Sequence, residues 1–325
     1  MAHFYQQYKH LLFNEKWSDF VAVCGGERIP LHMAVVGAQS KFFEKVSENG
    51  FAESQAREVH FPEDDPQSLK TFLTYLYTGN YENEPYTSIM ATAAAAYATN
   101  GWIDKTGTSP SIETTITEPA VLERALKNLH IETFEYLKRE PEPVGSMIVH
   151  HALVSAARDD QEEYLGIVRK LIQNLFTAVE MYSLADKYMV DRLQLLARNR
   201  FCRTGLNLVT EAARRTGRRM QNPDDQADDS IIDEIWEAVA EAIDAMYRST
   251  PPDAPVRSIP CLLLGKTHVY QVMRGEGIDD MDDEEPPFHE KIAALLLKHP
   301  HLKDEIDVMR ANWEPIGWRR ITSMY

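Results

Sequence analysis

Gly25-Gly26 is the feature that most narrows what this chain can fold into. The pair stands between two short runs, Phe20-Val21-Ala22-Val23-Cys24 and Glu27-Arg28-Ile29-Pro30-Leu31. The first run is rich in side chains that fit a pleated, half-buried surface. Glycines tolerate the left-handed backbone that a tight hairpin turn needs. The spacing predicts a β-hairpin, with Pro30 at a strand end or edge because it has no amide to give a ladder. An isolated hairpin is marginal in water, so the residues that follow must cover its apolar face.

They are patterned to do so. In Leu31 to Val46, His32, Val36, Ser40 and Phe43 recur at helical spacing, and Val35, Phe42 and Val46 widen the apolar stripe. One helix is predicted there, stopped by Asn49-Gly50. Arg57 to Phe61 alternates like a half-buried strand. Asp65 then offers an N-cap and Pro66 a first helical residue, and Leu69, Phe72, Leu73, Leu76 and Tyr77 form one stripe up to Gly79. Hairpin, helix, strand and helix make an α+β unit with a small sheet.

That series resembles the BTB/POZ domain, element by element, over about the first eighty residues. His32, Val36, Ser40 and Phe43 match the family's His-x3-apolar-x3-Ser-x2-Phe pattern. Asp19 matches its aspartate that follows the first helix, and Tyr77-Thr78-Gly79 matches the close of its later helix. The resemblance implies a BTB/POZ fold, a small sheet flanked by helices, and a module that binds proteins and is not an enzyme. It also implies two closing helices soon after Tyr81. The stretch that resembles them, Val179 to Cys202, comes much later. There Val179, Tyr182, Ala185 and Met189 stripe one helix. Asp191 caps the next, whose face carries Leu193, Leu196, Ala197 and Phe201.

The expected organisation is therefore a first BTB part at 1–81, an insertion at 82–177, closing helices at 178–204 and a mainly α-helical C-terminal region at 205–325. The insertion holds an alanine-rich run, a Thr/Ser/Gly/Pro-rich stretch at 100–119 that reads as loop or disorder, and helical character at 121–139 and 147–176. It reads as an elaboration of the fold, a mis-spliced gene model or a partner-binding arm. In the C-terminal region, helices are expected at 206–219, 231–248, 288–297 and 302–313. Arg214, Arg215, Arg218 and Arg219 read as a solvated helix face or a nuclear import signal. The acidic helix closed by Thr250-Pro251 and followed by Val256-Arg257 resembles the tail of fungal-type BTB proteins.

Composition bounds the partners. The 325 residues carry a formal net charge of -16, a surface that repels phosphate backbones and anionic lipid, so neither nucleic acid nor membrane is expected as a partner. No apolar run is long enough to span a bilayer, and Met1 to Trp17 lacks a signal-peptide core. Cys24, Cys202 and Cys261 are odd in number and far apart, which fits a reducing cytoplasmic or nuclear setting.

Catalytic and cofactor motifs fail on single residues, so no cofactor or metal is expected. Leu263 to Thr267 ends like a phosphate loop, but Pro260 stands where its first glycine belongs. Gly275 and Gly277 open like a dinucleotide turn, but Asp280 replaces the third glycine. His289-Glu290 lacks a second histidine, since Ala293 is there. Asp280, Asp282 and Glu284 are followed by Glu285 and Lys291 where a calcium loop needs glycine and a closing acid.

Two binding surfaces follow from the resemblance. Family members that serve as ubiquitin-ligase adaptors carry an apolar-x-acid motif after the His/Ser helix, where a cullin-type scaffold docks; Phe51 and Glu53 fall at that place here. Many BTB domains dimerise through an N-terminal helix, and Tyr5, Tyr8, Leu11, Leu12 and Phe13 are the candidate homodimer surface, with packing on the chain's own core as the other reading. The functional expectation is an adaptor linking a partner to a cullin-type ligase. The alternative is a self-associating scaffold or transcription-associated module with no ligase role.

Overall fold

The computed structural model describes residues 8–48, 52–81, 161–221, 229–273 and 290–311. These fall in two compact units, one ending at Thr204 and one from Gly205 onward.

In the first unit, β1 (Phe20–Cys24) and β2 (Glu27–Leu31) form the expected antiparallel hairpin, in register Phe20↔Leu31 through Cys24↔Glu27. Gly25 and Gly26 take φ of 55° and 83°, which a residue with a Cβ adopts only under strain. A Cβ on Gly25 would also lie 2.5 Å from the Pro66 ring. The third strand, β3 (Glu58–His60), joins β1 in parallel, giving a mixed sheet of order β2-β1-β3. Alternation sends Phe20, Ala22, Cys24, Ile29, Leu31 and Val59 into the core.

The helix expected across residues 32–48 is two helices, α1 (Met33–Val36) and α2 (Lys41–Ser47). Ser40 is the cause. It turns to an extended backbone, and its hydroxyl accepts the Phe43 amide at 3.3 Å, so it caps the second helix instead of continuing the first. His32, Val36, Ser40 and Phe43 are nonetheless all buried. Asn49-Gly50, the expected stop, lies outside the described residues. A short helix α3 (Ala52–Ala56) leads through Arg57, at φ 52°, into β3.

Helix α4 (Pro66–Thr78) starts and stops where its punctuation places it. The Asp65 carboxylate accepts the Ser68 amide at 2.9 Å, and that bond holds its pKa below the ordinary aspartate value. Gly79 closes the helix at φ 72°. All five stripe residues are buried.

Two long helices complete the unit, α5 (Gln161–Lys187) and α6 (Asp191–Gln221). Helix α5 runs unbroken across 177 and 178. Val179, Tyr182 and Ala185 are buried as expected, but Met189 is not on their stripe. It sits past the helix end at φ 54°, where the Val190 amide donates back to Ala185 and the Met189 amide to Asp186. Methionine occupies the left-handed closing position that glycine usually takes. Asp191 is not the cap but the first helical residue, since the Gln194 amide donates to Val190. There its charge complements the helix dipole.

The second unit is helical. It comprises the rest of α6 with α7 (Asp229–Ser249), α8 (Ser258–Met273), α9 (Glu290–Lys298) and α10 (Pro300–Ala311). Helix α7 packs on α9, and α8 on α10. Glu237 pairs with Lys291 at 3.3 Å and Asp244 with Lys298 at 2.7 Å. The rungs are a heptad apart on both helices, so α7 and α9 run in the same direction. The reading of Arg214 as part of a solvated face is corrected: its guanidinium is buried and donates to the buried Glu211 carboxylate, which also takes Arg215 at 3.1 Å. The side chains of Arg218 and Arg219 lie outside the described residues. Leu263 to Thr267 falls inside α8, a helix and not a phosphate-binding loop. No helix among the described residues is long and apolar enough to cross a membrane.

Candidate functional site: protein-interaction surfaces

The signature residues form a connected structural network. The Tyr77 hydroxyl accepts the His32 backbone amide at 3.0 Å and lies 2.9 Å from His32 Nδ1. With the amide donating, the hydroxyl's own proton goes to Nδ1. That leaves the Nε2 hydrogen to donate to the Lys16 carbonyl, 2.8 Å away. Burial pushes the Tyr77 hydroxyl pKa up to about 12, so it stays a protonated donor. Asp19 Oδ1 accepts the Met33 amide at 2.9 Å and fixes the start of α1. The segment before the hairpin, the first helix and the end of α4 thus meet at one buried histidine.

Tyr188, which the sequence reading did not single out, joins the closing helices to this network. Its carbonyl accepts the Ser40 hydroxyl at 2.7 Å. Its ring lies 4.9 Å from Phe42, 5.3 Å from Phe72 and 5.4 Å from Phe61. Its hydroxyl donates to Asp64, and burial together with that carboxylate drives its pKa upward. Asp64 also takes Lys187 Nζ at 2.9 Å. Ser68 reaches Glu180 at 3.0 Å. Arg200 on α6 donates to the Tyr81 carbonyl and the Asn80 side chain and covers the Tyr81 ring at 4.1 Å. The signal for Tyr188 was the Asp186-Lys187-Tyr188 corner between two helical stripes, but nothing local says that it meets Ser40.

The candidate binding residues divide. Phe51 lies outside the described residues. Glu53 is exposed on α3, a helix that buries none of its own side chains and packs between α2 and β3. Of the dimer candidates, Tyr5 lies outside the described residues. Leu11 is buried in the core, Tyr8 and Leu12 are half-buried, and Phe13 is 47% exposed. Trp17, missed in the sequence reading, is 68% exposed.

Comparison with known proteins agrees with this architecture. The family model described as the BTB/POZ domain matches residues 8–109, so the chain carries a BTB/POZ domain, a protein-interaction module, in its N-terminal third. The match runs past Tyr81, where the sequence reading starts an insertion. The chain is 31% identical over 75 residues to Kelch repeat and BTB domain-containing protein 2 of Pongo abelii and of Homo sapiens. That stretch is 23% of this chain and 12% of each relative. It is 28% identical over 78 residues to Kelch-like protein 5 of Homo sapiens, 24% of this chain and 10% of that one. The chain thus spans a small part of the curated relatives it matches, and the likeness is to one domain.

Proposed function

We propose that this chain is a BTB-type adaptor that joins a partner protein to a cullin-type ubiquitin-ligase scaffold. The observation that carries the reading is Glu53, exposed on a helix with no buried side chain, in the place where adaptor members of the family hold their apolar-x-acid motif. An aromatic anchor at Phe51 would fill a pocket while the Glu53 carboxylate meets a basic rim. In this reading the domain is interrupted after Tyr81 and resumes with α5 at Gln161, because α5, α6 and the Tyr188 corner between them return to cover Ser40, Phe43, Asp64 and Tyr81. The interruption and the C-terminal helices are then left to select the partner.

The test is co-elution of the full chain with a cullin N-terminal domain, with mass read by light scattering. A complex that Phe51→Ala abolishes, at unchanged melting temperature, supports the adaptor. A complex that Phe51→Ala leaves intact overturns the assigned docking site. Exposed Phe13 favours a second reading, a self-associating scaffold, and a dimer that ignores the cullin domain would support it.

A further inference from the structure

Helix α3 buries none of its own side chains, so no apolar stripe fixes the direction in which it points. Its tie to the sheet is a backbone one. Arg57 follows the helix directly and takes φ of 52°, and its carbonyl accepts the Val21 amide at 3.0 Å. That bond opens the parallel β1–β3 register, in which Val21 stands opposite Glu58. At the far end of β3 the Phe61 amide donates to the Val23 carbonyl at 2.8 Å. The strand is clamped at both ends, and Arg57 is the one-residue turn between it and α3.

Left-handed backbone is unfavourable for a residue with a Cβ. The arginine side chain does not offset that here: it is exposed and makes no ion pair among the described residues. Strain of this kind persists where the surroundings impose it, and it gathers at ligand clamps and switch regions. The C-terminal side of Arg57 is held by the sheet, so rotation about its N–Cα bond would swing the helix and leave the strand in place. We infer that the Arg57 backbone is the positioning hinge of α3 and sets the angle at which Glu53 faces a cullin-type scaffold. The hinge follows from the fold, while its consequence for binding rests on the adaptor reading above.

The experiment places Asn or Val at position 57 of the full chain. Asparagine tolerates the left-handed region and the β-branched valine does not. Hydrogen exchange reads the α3 amides against those of β1 and β2, and co-elution reads the cullin N-terminal domain. Arg57→Val should speed exchange in α3 roughly tenfold or more and weaken cullin binding by a similar factor, with β1 and β2 still protected. Arg57→Asn should slow exchange in α3 roughly threefold and keep binding, which tests the hinge even where the valine variant fails to fold. Equal α3 exchange in wild type and Arg57→Asn overturns the hinge, whatever the cullin does. Faster exchange in Arg57→Val that spreads equally through β1 and β2 overturns it as well, because Arg57 would then hold the sheet. Undiminished cullin binding by a chain whose α3 has loosened overturns the link to Glu53. The expected exchange pattern in a wild-type chain that binds no cullin supports the hinge and overturns the adaptor reading alone.

Discussion

The two compact units are specified in different ways. In the unit ending at Thr204, residues far apart in sequence meet through single polar locks set in an aromatic core. Ser40 holds the Tyr188 carbonyl, Tyr77 holds His32, Asp64 holds Tyr188 and Lys187, and Arg200 holds Asn80 and Tyr81. In the unit from Gly205 onward, helices pack mainly pairwise by their apolar stripes, the α7–α9 pair carries its ion pairs on the rim, and the polar ties are local ones, Glu211 with Arg214 and Arg215 and Arg257 with Thr250 and the Tyr247 carbonyl. A lock needs one residue type at one place, so it leaves a motif. A stripe needs only apolar side chains at the right period, so it leaves helices and no family signature.

If that contrast holds, the largest single-residue effect belongs to the lock that joins both sides of the first unit. Tyr188→Ala removes a ring packed among Phe42, Phe61 and Phe72, and should cost about 3–5 kcal/mol. Urea denaturation followed by circular dichroism would read it. A variant with wild-type stability would break the comparison, since the closing corner would then be no lock. Next is Tyr77→Phe, which keeps the ring and deletes the hydroxyl between the His32 amide and Nδ1. Leaving those buried groups without a partner should cost about 1–3 kcal/mol in the same measurement.

The same contrast decides what was legible beforehand. His32, Ser40, Tyr77 and Gly79 stood out because each meets a demand no other residue type fills as well, and Val36 and Phe43 because they complete the buried stripe between them. That demand is a cap, a left-handed close or a buried hydrogen bond. The hairpin and α4 were readable from Gly25-Gly26 and from the Asp65-Pro66 start. The break at Ser40 was not, because period alone does not distinguish a continuous helix from two that share a face. Met189 was misplaced for a similar reason: its spacing fits the α5 stripe, and only the backbone reveals that it closes the helix. Helix α8 was missed because Ile259 to Gly265 is an unbroken apolar run, which sets no helical period. Trp17 was missed because an exposed aromatic has no pattern at all.

Not every buried polar group in the first unit is a lock, and Asn174 sharpens the distinction. It is 3% exposed within α5, and neither side-chain amide atom has a hydrogen-bond partner among the described residues. Desolvation without compensation costs stability. Asn174→Leu, which is similar in volume, should therefore stabilise the chain by about 1–2 kcal/mol. A raised melting temperature is expected; a lowered one would mean that the amide has a role that geometry does not reveal.

The smallest effect is expected on the rim of the second unit, at Asp244. Its carboxyl is held below the ordinary aspartate pKa by the hydrogen bond from Lys298, then by His299 and by the charges of Lys298 and Arg248, against the opposing effect of burial. A lowered pKa means that the folded chain binds the proton less readily than the unfolded chain. The carboxylate therefore adds stability above about pH 4, the unfolded value. That contribution fades as pH falls through the lower value it holds in the fold. Asp244→Asn should cost about 1 kcal/mol at neutral pH, with the gap to wild type closing in acid and shrinking in salt. A gap independent of both pH and salt would show that Asp244 acts by packing and not by charge.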